Sequence, residues 1–349
     1  MSEHKFPYRW TLKDANFTKD KGAVFSCFSC GGGSIMGYKL AGFDVIGCNE
    51  IDPKMMDVYK ANHNPRFSYL ESITTFKDRT DLPPELYNLD ILDGSPPCSS
   101  FSIAGNREKD WGKEKKFREG QKEQVLDTLF FDFIDLAKKL QPKVVIAENV
   151  KGLLQGGAKK YVSKIIVAFD NSGYYMRYGV SNASKMGVPQ RRERVFFCAI
   201  RKDLYNGDFD DLFSKEPVLD LCFNELNINA ECILNNGRGH SNGLLKRLWP
   251  ITEIGKNPPG DSFFSYIKVN PKKPFPTLNG GSKKVTTTQM HPTIERYLND
   301  KEMILMQSYP ADYNFLGGRC GHILAMSVPP VMMAQIATRI YEQWLKELL

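Results

Sequence analysis

The chain has 349 residues, of which 42% are hydrophobic and 25% charged, with a formal charge of +7. That length supports a sizeable core and two lobes. With no unbroken apolar run of about 18 residues and no signal-peptide core in the opening MSEHKFPYRW, no transmembrane helix is expected, and the reading is a soluble, cytoplasmic protein. Eight cysteines in so long a chain do not make a disulfide scaffold, and the Cys27–Cys30 CxxC has no second pair, so no metal site is expected.

The first half alternates strands and helices. Ala23–Phe28 reads as a strand, followed by a glycine cluster and a helical pattern through Ile35, Met36 and Leu40. Phe43–Cys48 is a second strand leading to Glu50, Pro53–Ala61 a helix, and Leu89–Asp93 a strand running into GSPPC. Val125–Leu140 is a strongly apolar helix, Lys143–Ala147 a strand running into ENV, Tyr161–Phe169 a helix and Arg194–Ile200 a strand. Such alternation predicts an α/β, doubly wound, mostly parallel sheet with helices on both faces, whose ligands sit at the carboxyl ends of the strands. After about Lys202 the alternation stops and turn-rich segments such as NNGRGHSNG take over, predicting a second, smaller irregular domain. Residues 1–202 plus 325–349 are assigned to the larger domain and 203–324 to the smaller, with the last part, Val328–Leu349, helical again.

Charge is distributed unevenly. Asp203 to Glu231 holds eight acidic residues and one basic, Lys215, whereas Ile233 to Lys284 holds nine basic and two acidic. The basic stretch would suit a polyanion; a solvated loop region is the plainer alternative.

Four strand ends carry chemistry. The turn FSCGGGS, Phe28 to Ser34, lets backbone approach a ligand at a helix start. Glu50, about 20 residues on, is placed to accept ribose hydroxyls. Cys98, after two prolines in Ser95-Pro-Pro-Cys, is held on a rigid loop where a nucleophile would stand. Glu148 of Glu148-Asn149-Val150 can engage a ring nitrogen or cap a helix. In Gln190-Arg-Arg-Glu-Arg194, alternation puts Arg192 and Arg194 on one side of an extended segment.

The order of these motifs resembles that of the DNA cytosine-5 methyltransferases of bacteria and phages. FSCGGGS, NEID, SPPCSSFS, ENVKGLL, GVPQRRERVFF, KPFPTLNGG, MQSYPADY and SVPP follow one another between about Ala23 and Ile340. The resemblance implies a Rossmann-like methyltransferase fold and transfer of a methyl group from S-adenosylmethionine to carbon 5 of cytosine in double-stranded DNA. Cys98 would be the covalent nucleophile on a flipped-out base, Glu148 would hold N3 and the exocyclic amine, and Arg194 would steady the base oxygen, with Arg192 beside it. It also implies cofactor contacts from Phe28, Ser29, Cys30, Gly32 and Gly33 in the first motif, from Glu50 and Ile51, and from Ser72 and Ile73. Pro97, Leu129, Met326 and Ser327 complete that set. Gln190 would support the site loop and lie against DNA with Ser102; Arg238, His240 and Asn242 are candidate base readers in the segment from about Asp203 to Asn270. Gly105–Gln124 would be a loop closing over DNA. The chain would act as a monomer, with a cognate restriction endonuclease as a separate protein. Four departures gather at the cofactor: Cys30 stands for a glycine, Ser72 for an aspartate, Ala325-Met326 for Gly-Asn, and only Leu129 and Phe130 remain of the fifth motif. The nearest alternatives are a tRNA cytosine-5 methyltransferase, whose Cys-Phe-Thr signature is absent, and a catalytically weakened DNA-binding relative.

Overall fold

The computed structural model describes residues 10–97, 128–156, 158–205, 229–260, 265–279 and 287–349, with short pieces at 114–115, 124–125, 207 and 263. Seven strands form the main sheet: β1 (Ala23–Cys27), β2 (Asp44–Glu50), β3 (Phe67–Leu70), β4 (Ile91–Gly94), β5 (Val144–Val150), β6 (Tyr174–Asn182) and β7 (Glu193–Arg201). Their spatial order is β3-β2-β1-β4-β5-β7-β6. All run parallel except β7, which is antiparallel to both of its neighbours. The order reverses between β1 and β4, so the crevice beyond their carboxyl ends is the switch point where such sheets bind ligands.

Two strands escape the sequence reading. Both β3 and β6 are edge strands with half-exposed faces, and so lack the apolar run that marks an interior strand. The helix expected over Val125–Leu140 begins at Leu129, because Gln124–Val125 pairs with Glu114–Lys115 as a small antiparallel strand pair.

Alternate side chains of each interior strand enter opposite layers, as the pleat requires. Val24, Ile91, Val144, Ile146 and Phe196 pack toward α1 (Gly33–Leu40) and a late helix, Pro330–Ile340. Phe25, Leu92, Val145, Ala147 and Phe197 pack the other way, against Ile73–Phe76, Leu129–Leu140 and Ala158–Asn171. In chain order these helices are α2 (Pro53–His63), α3 (Ile73–Phe76), α4 (Leu129–Leu140), α5 (Ala158–Asn171), α6 (Gly243–Leu248), α7 (Asp300–Met306), α8 (Cys320–Met326) and α9 (Pro330–Ile340). Asp52 starts α2 by accepting the Lys54 and Met55 amides, with Pro53 at the first helical position, a strong start signal.

Beyond Arg201 the chain leaves the sheet for turns and short helices. A third apolar cluster joins Met36, Met55 and Val58 of α1 and α2 to Ala230, Ile233, Phe275, Met303, Ile323 and Leu324. The irregular segments therefore share a core with the helices beside the switch point. The stretch Cys320–Leu345 is long and apolar enough, by length and composition, to cross a membrane. The sequence reading missed this because the stretch has no unbroken apolar run. Its window is 83% buried inside the protein, so its apolar faces are consumed by the core.

Candidate active site and cofactor cleft

The turn after β1 is built by backbone that most residues avoid. Phe28, Cys30 and Gly32 all have positive φ, at 53°, 49° and 84°. Only glycine fits at 32, where a Cβ would lie 2.6 Å from His63 Nε2 as well as being strained. At Gly33 the reason is proximity: a Cβ would stand 2.5 Å from the Ser327 Cβ, so α1 and the closing SVPP motif meet there. The turn is fastened by Glu50, whose Oε2 accepts from the Cys30 amide at 2.7 Å while Oε1 accepts from Ile51 and Asp52 at 2.8 and 2.9 Å. Burial pushes the Glu50 carboxyl above its usual range, and these three amide donors oppose the shift. Beneath the turn, Asp93 accepts hydroxyls from Ser26, Ser34 and Tyr38; burial raises its carboxyl to about 6 against those three donors.

Above the turn lies a cleft with about 760 Å³ of free space, its open mouth included. Eight residues expected at the cofactor line it: Phe28, Cys30, Glu50, Ile51, Ser72, Ile73, Pro97 and Met326. Five others do not line it. Ser29 is buried with its hydroxyl toward the Asn49 carbonyl. Gly32 and Gly33 shape the turn, as above. Leu129 is core, packed where α4 meets the sheet. Ser327 donates to the Ile323 carbonyl at 2.6 Å and accepts from Tyr309 at 2.7 Å. Asn49, Asp52, Met55, Glu71, Ser95 and His322 also line the cleft and were missed. His322 had a signal: it stands one helical turn before Met326 on α8, hence on the same face. Ser72, in the aspartate's place, caps α3 by accepting the Thr74 amide.

The base site grows from the adjacent ends of β4 and β5, where Gly94 pairs with Ala147. Asn149 Nδ2 donates to the Pro96 carbonyl at 3.1 Å, tying the SPPC loop to the strand that carries Glu148. Cys98 and Ser102 lie outside the described residues; the loop is described through Pro97. Glu148 is 8% exposed, and its Oε1 is 2.9 Å from Arg194 Nε, supplied by the reversed strand β7. Burial depresses the Arg194 guanidinium and the Glu148 charge holds it up.

Two residues of QRRER behave differently from expectation. Arg192, 1% exposed, donates through Nη2 to the Ala325 and Ser327 carbonyls at 2.7 and 2.9 Å. It clamps the closing motif, whereas Arg194 pairs with Glu148. Gln190 is fully buried: Nε2 donates to Gln307 and the Met306 carbonyl, and Oε1 accepts the Leu278 amide. It has no face left for DNA. The other candidate readers surround an exposed loop, residues 236–241, on which Arg238 and His240 stand free of burial. Asn242 ends that loop as the cap of α6, accepting the Leu245 amide at 2.8 Å, and so anchors more than it displays.

A reversed seventh strand, a glycine turn fastened by an acidic residue and a cleft at the switch point define an α/β enzyme of the Rossmann-like methyltransferase class. The family described as C-5 cytosine-specific DNA methylase matches residues 22–342, and the chain belongs to it. It is 28% identical over 336 residues to the Type II methyltransferase M1.HphI of Haemophilus parahaemolyticus, covering 90% of this chain and 85% of that one. To the Type II methyltransferase M.DdeI of Desulfomicrobium norvegicum it is 27% identical over 383 residues, covering 91% and 88%. Its fold is similar to that of a DNA modification methyltransferase encoded within an E. coli prophage, with a TM-score of 0.68 at 19% identity, covering 93% of this chain and 99% of that one.

Proposed function

We propose that this enzyme transfers a methyl group from S-adenosylmethionine to carbon 5 of cytosine in duplex DNA, with Cys98 as covalent nucleophile. The observation that carries the reading is the Asn149–Pro96 hydrogen bond, which ties the segment just before Cys98 to the strand that carries the Glu148–Arg194 pair. The cleft fits the cofactor: Glu50 keeps acceptor capacity on Oε2 for ribose hydroxyls, Ile51 and Ile73 offer apolar faces for an adenine, and acidic walls suit a cation. When bound, the cofactor supplies an electrophilic methyl group.

The chain's residues supply the rest. Carbon 5 of cytosine is a poor nucleophile. A Cys98 thiolate adding to carbon 6 makes an enamine, and Glu148 stabilises it through N3 and the exocyclic amine. Arg194 holds Glu148 in place and faces the base oxygen. After transfer, loss of the carbon-5 proton expels the thiolate. A duplex hides its bases, so the target must be flipped out to reach these groups. We assign this chemistry to residues 1–202 plus 325–349 and DNA reading to 203–324.

Purified enzyme, labelled cofactor and duplex DNA, followed by digestion to nucleosides, should give label in 5-methylcytosine. Label confined to N6-methyladenine or N4-methylcytosine would defeat the reading, and label confined to tRNA would favour the tRNA cytosine-5 alternative.

Met326, 43% exposed at the cleft, offers a thioether where the resembled family has an amide. Met326→Asn should tighten S-adenosylmethionine binding by about tenfold, the worth of one regained hydrogen bond to a charged group. Calorimetry on both proteins is the check, and equal affinities would show that the thioether costs nothing.

A further inference from the structure

We propose that Glu71 is a further cofactor-binding residue, which accepts a hydrogen bond from the exocyclic amine of the adenine and makes the cleft select a 6-aminopurine. The inference rests on the cofactor reading above and adds a residue that is not among those the resemblance implies.

The backbone sets the position. Glu71, Ser72 and Ile73 line the cleft from one segment, and Glu50, Ile51 and Asp52 from another. The two segments are joined where the Glu71 amide donates to the Glu50 carbonyl at 3.1 Å. Asn49 ties them again, donating through Nδ2 to the Glu71 carbonyl at 2.9 Å. Glu71 therefore stands at the junction of the segments that carry Ile51 and Ile73, the two apolar faces assigned to the adenine.

The carboxylate is held at one oxygen and open at the other. Its Oε1 accepts from Arg79 Nη1 at 2.9 Å. Arg79 is itself fixed, by Asp81 Oδ2 at 2.6 Å and by lying over the Tyr69 ring, 5.3 Å from its centroid. Among the described residues no donor meets Oε2. The side chain is 19% exposed, so the carboxylate is largely withdrawn from water without being sealed off.

An adenine between two apolar faces presents its polar groups only along its edges. There the exocyclic amine is a donor and the ring nitrogens are acceptors. A carboxylate only accepts, and it bonds a donor more strongly than a neutral group does. It matches the amine and repels the carbonyl oxygen that a 6-oxopurine carries in the same place.

Changing both partners of the contact separates it from a general effect on the cleft. S-adenosylhomocysteine carries the amine, and S-inosylhomocysteine carries a carbonyl oxygen at that carbon. Calorimetry on the full chain without DNA gives both affinities, independent of turnover. The wild-type chain should prefer the adenosyl ligand. In Glu71→Gln the Arg79 guanidinium claims the amide oxygen, which turns the amide nitrogen to the ligand as a donor. The preference for the adenosyl ligand should then shrink by about 10- to 100-fold.

An equal change for both ligands, leaving the preference as in wild type, would mean that Glu71 only shapes the cleft and would overturn the proposal. A wild-type chain that binds the two equally would overturn it whatever the stability of the variant. If the wild-type chain bound neither S-adenosylmethionine nor S-adenosylhomocysteine, the cofactor reading itself would fall along with the proposal.

Discussion

Replacing Cys98 by serine is expected to lower methyl transfer by at least about a thousandfold while leaving duplex binding within roughly twofold. In the proposed mechanism a thiolate is the attacking species; a thiol's ordinary pKa is about 8.5, whereas a serine hydroxyl has no comparable ionised fraction. The described contacts nearby are made by other residues: the Pro96 carbonyl is bound by Asn149, and Glu148 is paired with Arg194. Nothing in those contacts depends on sulfur, so the variant should fold and bind. A duplex carrying 5-fluorocytosine at the target offers the complementary experiment. Fluorine cannot leave as a proton does, so the wild-type chain should be trapped as a denaturant-resistant adduct and the serine variant should not. A Cys98→Ser protein that turns over at the wild-type rate would exclude covalent catalysis from this residue.

The largest effect on stability is expected at Glu302, a residue that none of the motifs includes. Its side chain is fully buried, and both oxygens meet the Arg296 guanidinium, at 2.9 and 2.8 Å. The Asn235 and Asn299 amides donate to the same carboxylate at 3.0 and 2.8 Å, the latter as half of the capping box that starts α7. Removing it strands a buried cation and two buried amides. Losing one partner of such a pair typically costs about 3–5 kcal/mol, so Glu302→Ala should lower Tm by roughly 4–7 °C. Glu302→Gln, which keeps the shape and part of the bonding, should fall between. Differential scanning calorimetry decides it, and a Glu302→Ala protein melting within a degree of wild type would refute the account. Arg296 also donates to the Asn235 carbonyl, at the root of the exposed loop that carries Arg238 and His240. The alanine variant should therefore loosen DNA reading as well as stability.

What the sequence made legible was local: strands with interior apolar runs, the turn after β1, and the acidic or nucleophilic residues that follow strand ends. Glu50, Glu148 and Arg194 sit where period and motif put them. Edge strands β3 and β6 were invisible because neither is covered on both faces. Gln190 and Arg192 look like exposed polar residues at a strand's start, and their burial is decided by Gln307, Ala325 and Ser327 more than a hundred residues downstream. No local pattern carries that information. The same distance hid the places of Ser327 and His322, which depend on how closely α8 approaches the glycine turn.

That approach also governs when the enzyme comes into being during its own synthesis. The wall opposite Gly33 is Ser327, and Gly37 lies against Met333. At about 5–20 residues per second, the 294 positions between Gly33 and Ser327 take roughly 15–60 s to translate. Through that interval the nascent chain presents the apolar side of α1, including Ile35 and Tyr38, without the helix that will cover it. A ribosome-bound fragment can hold its parallel strands and its glycine turn and still have no closed cleft. Closure of the cleft therefore comes late in synthesis, after α8 and α9 have emerged.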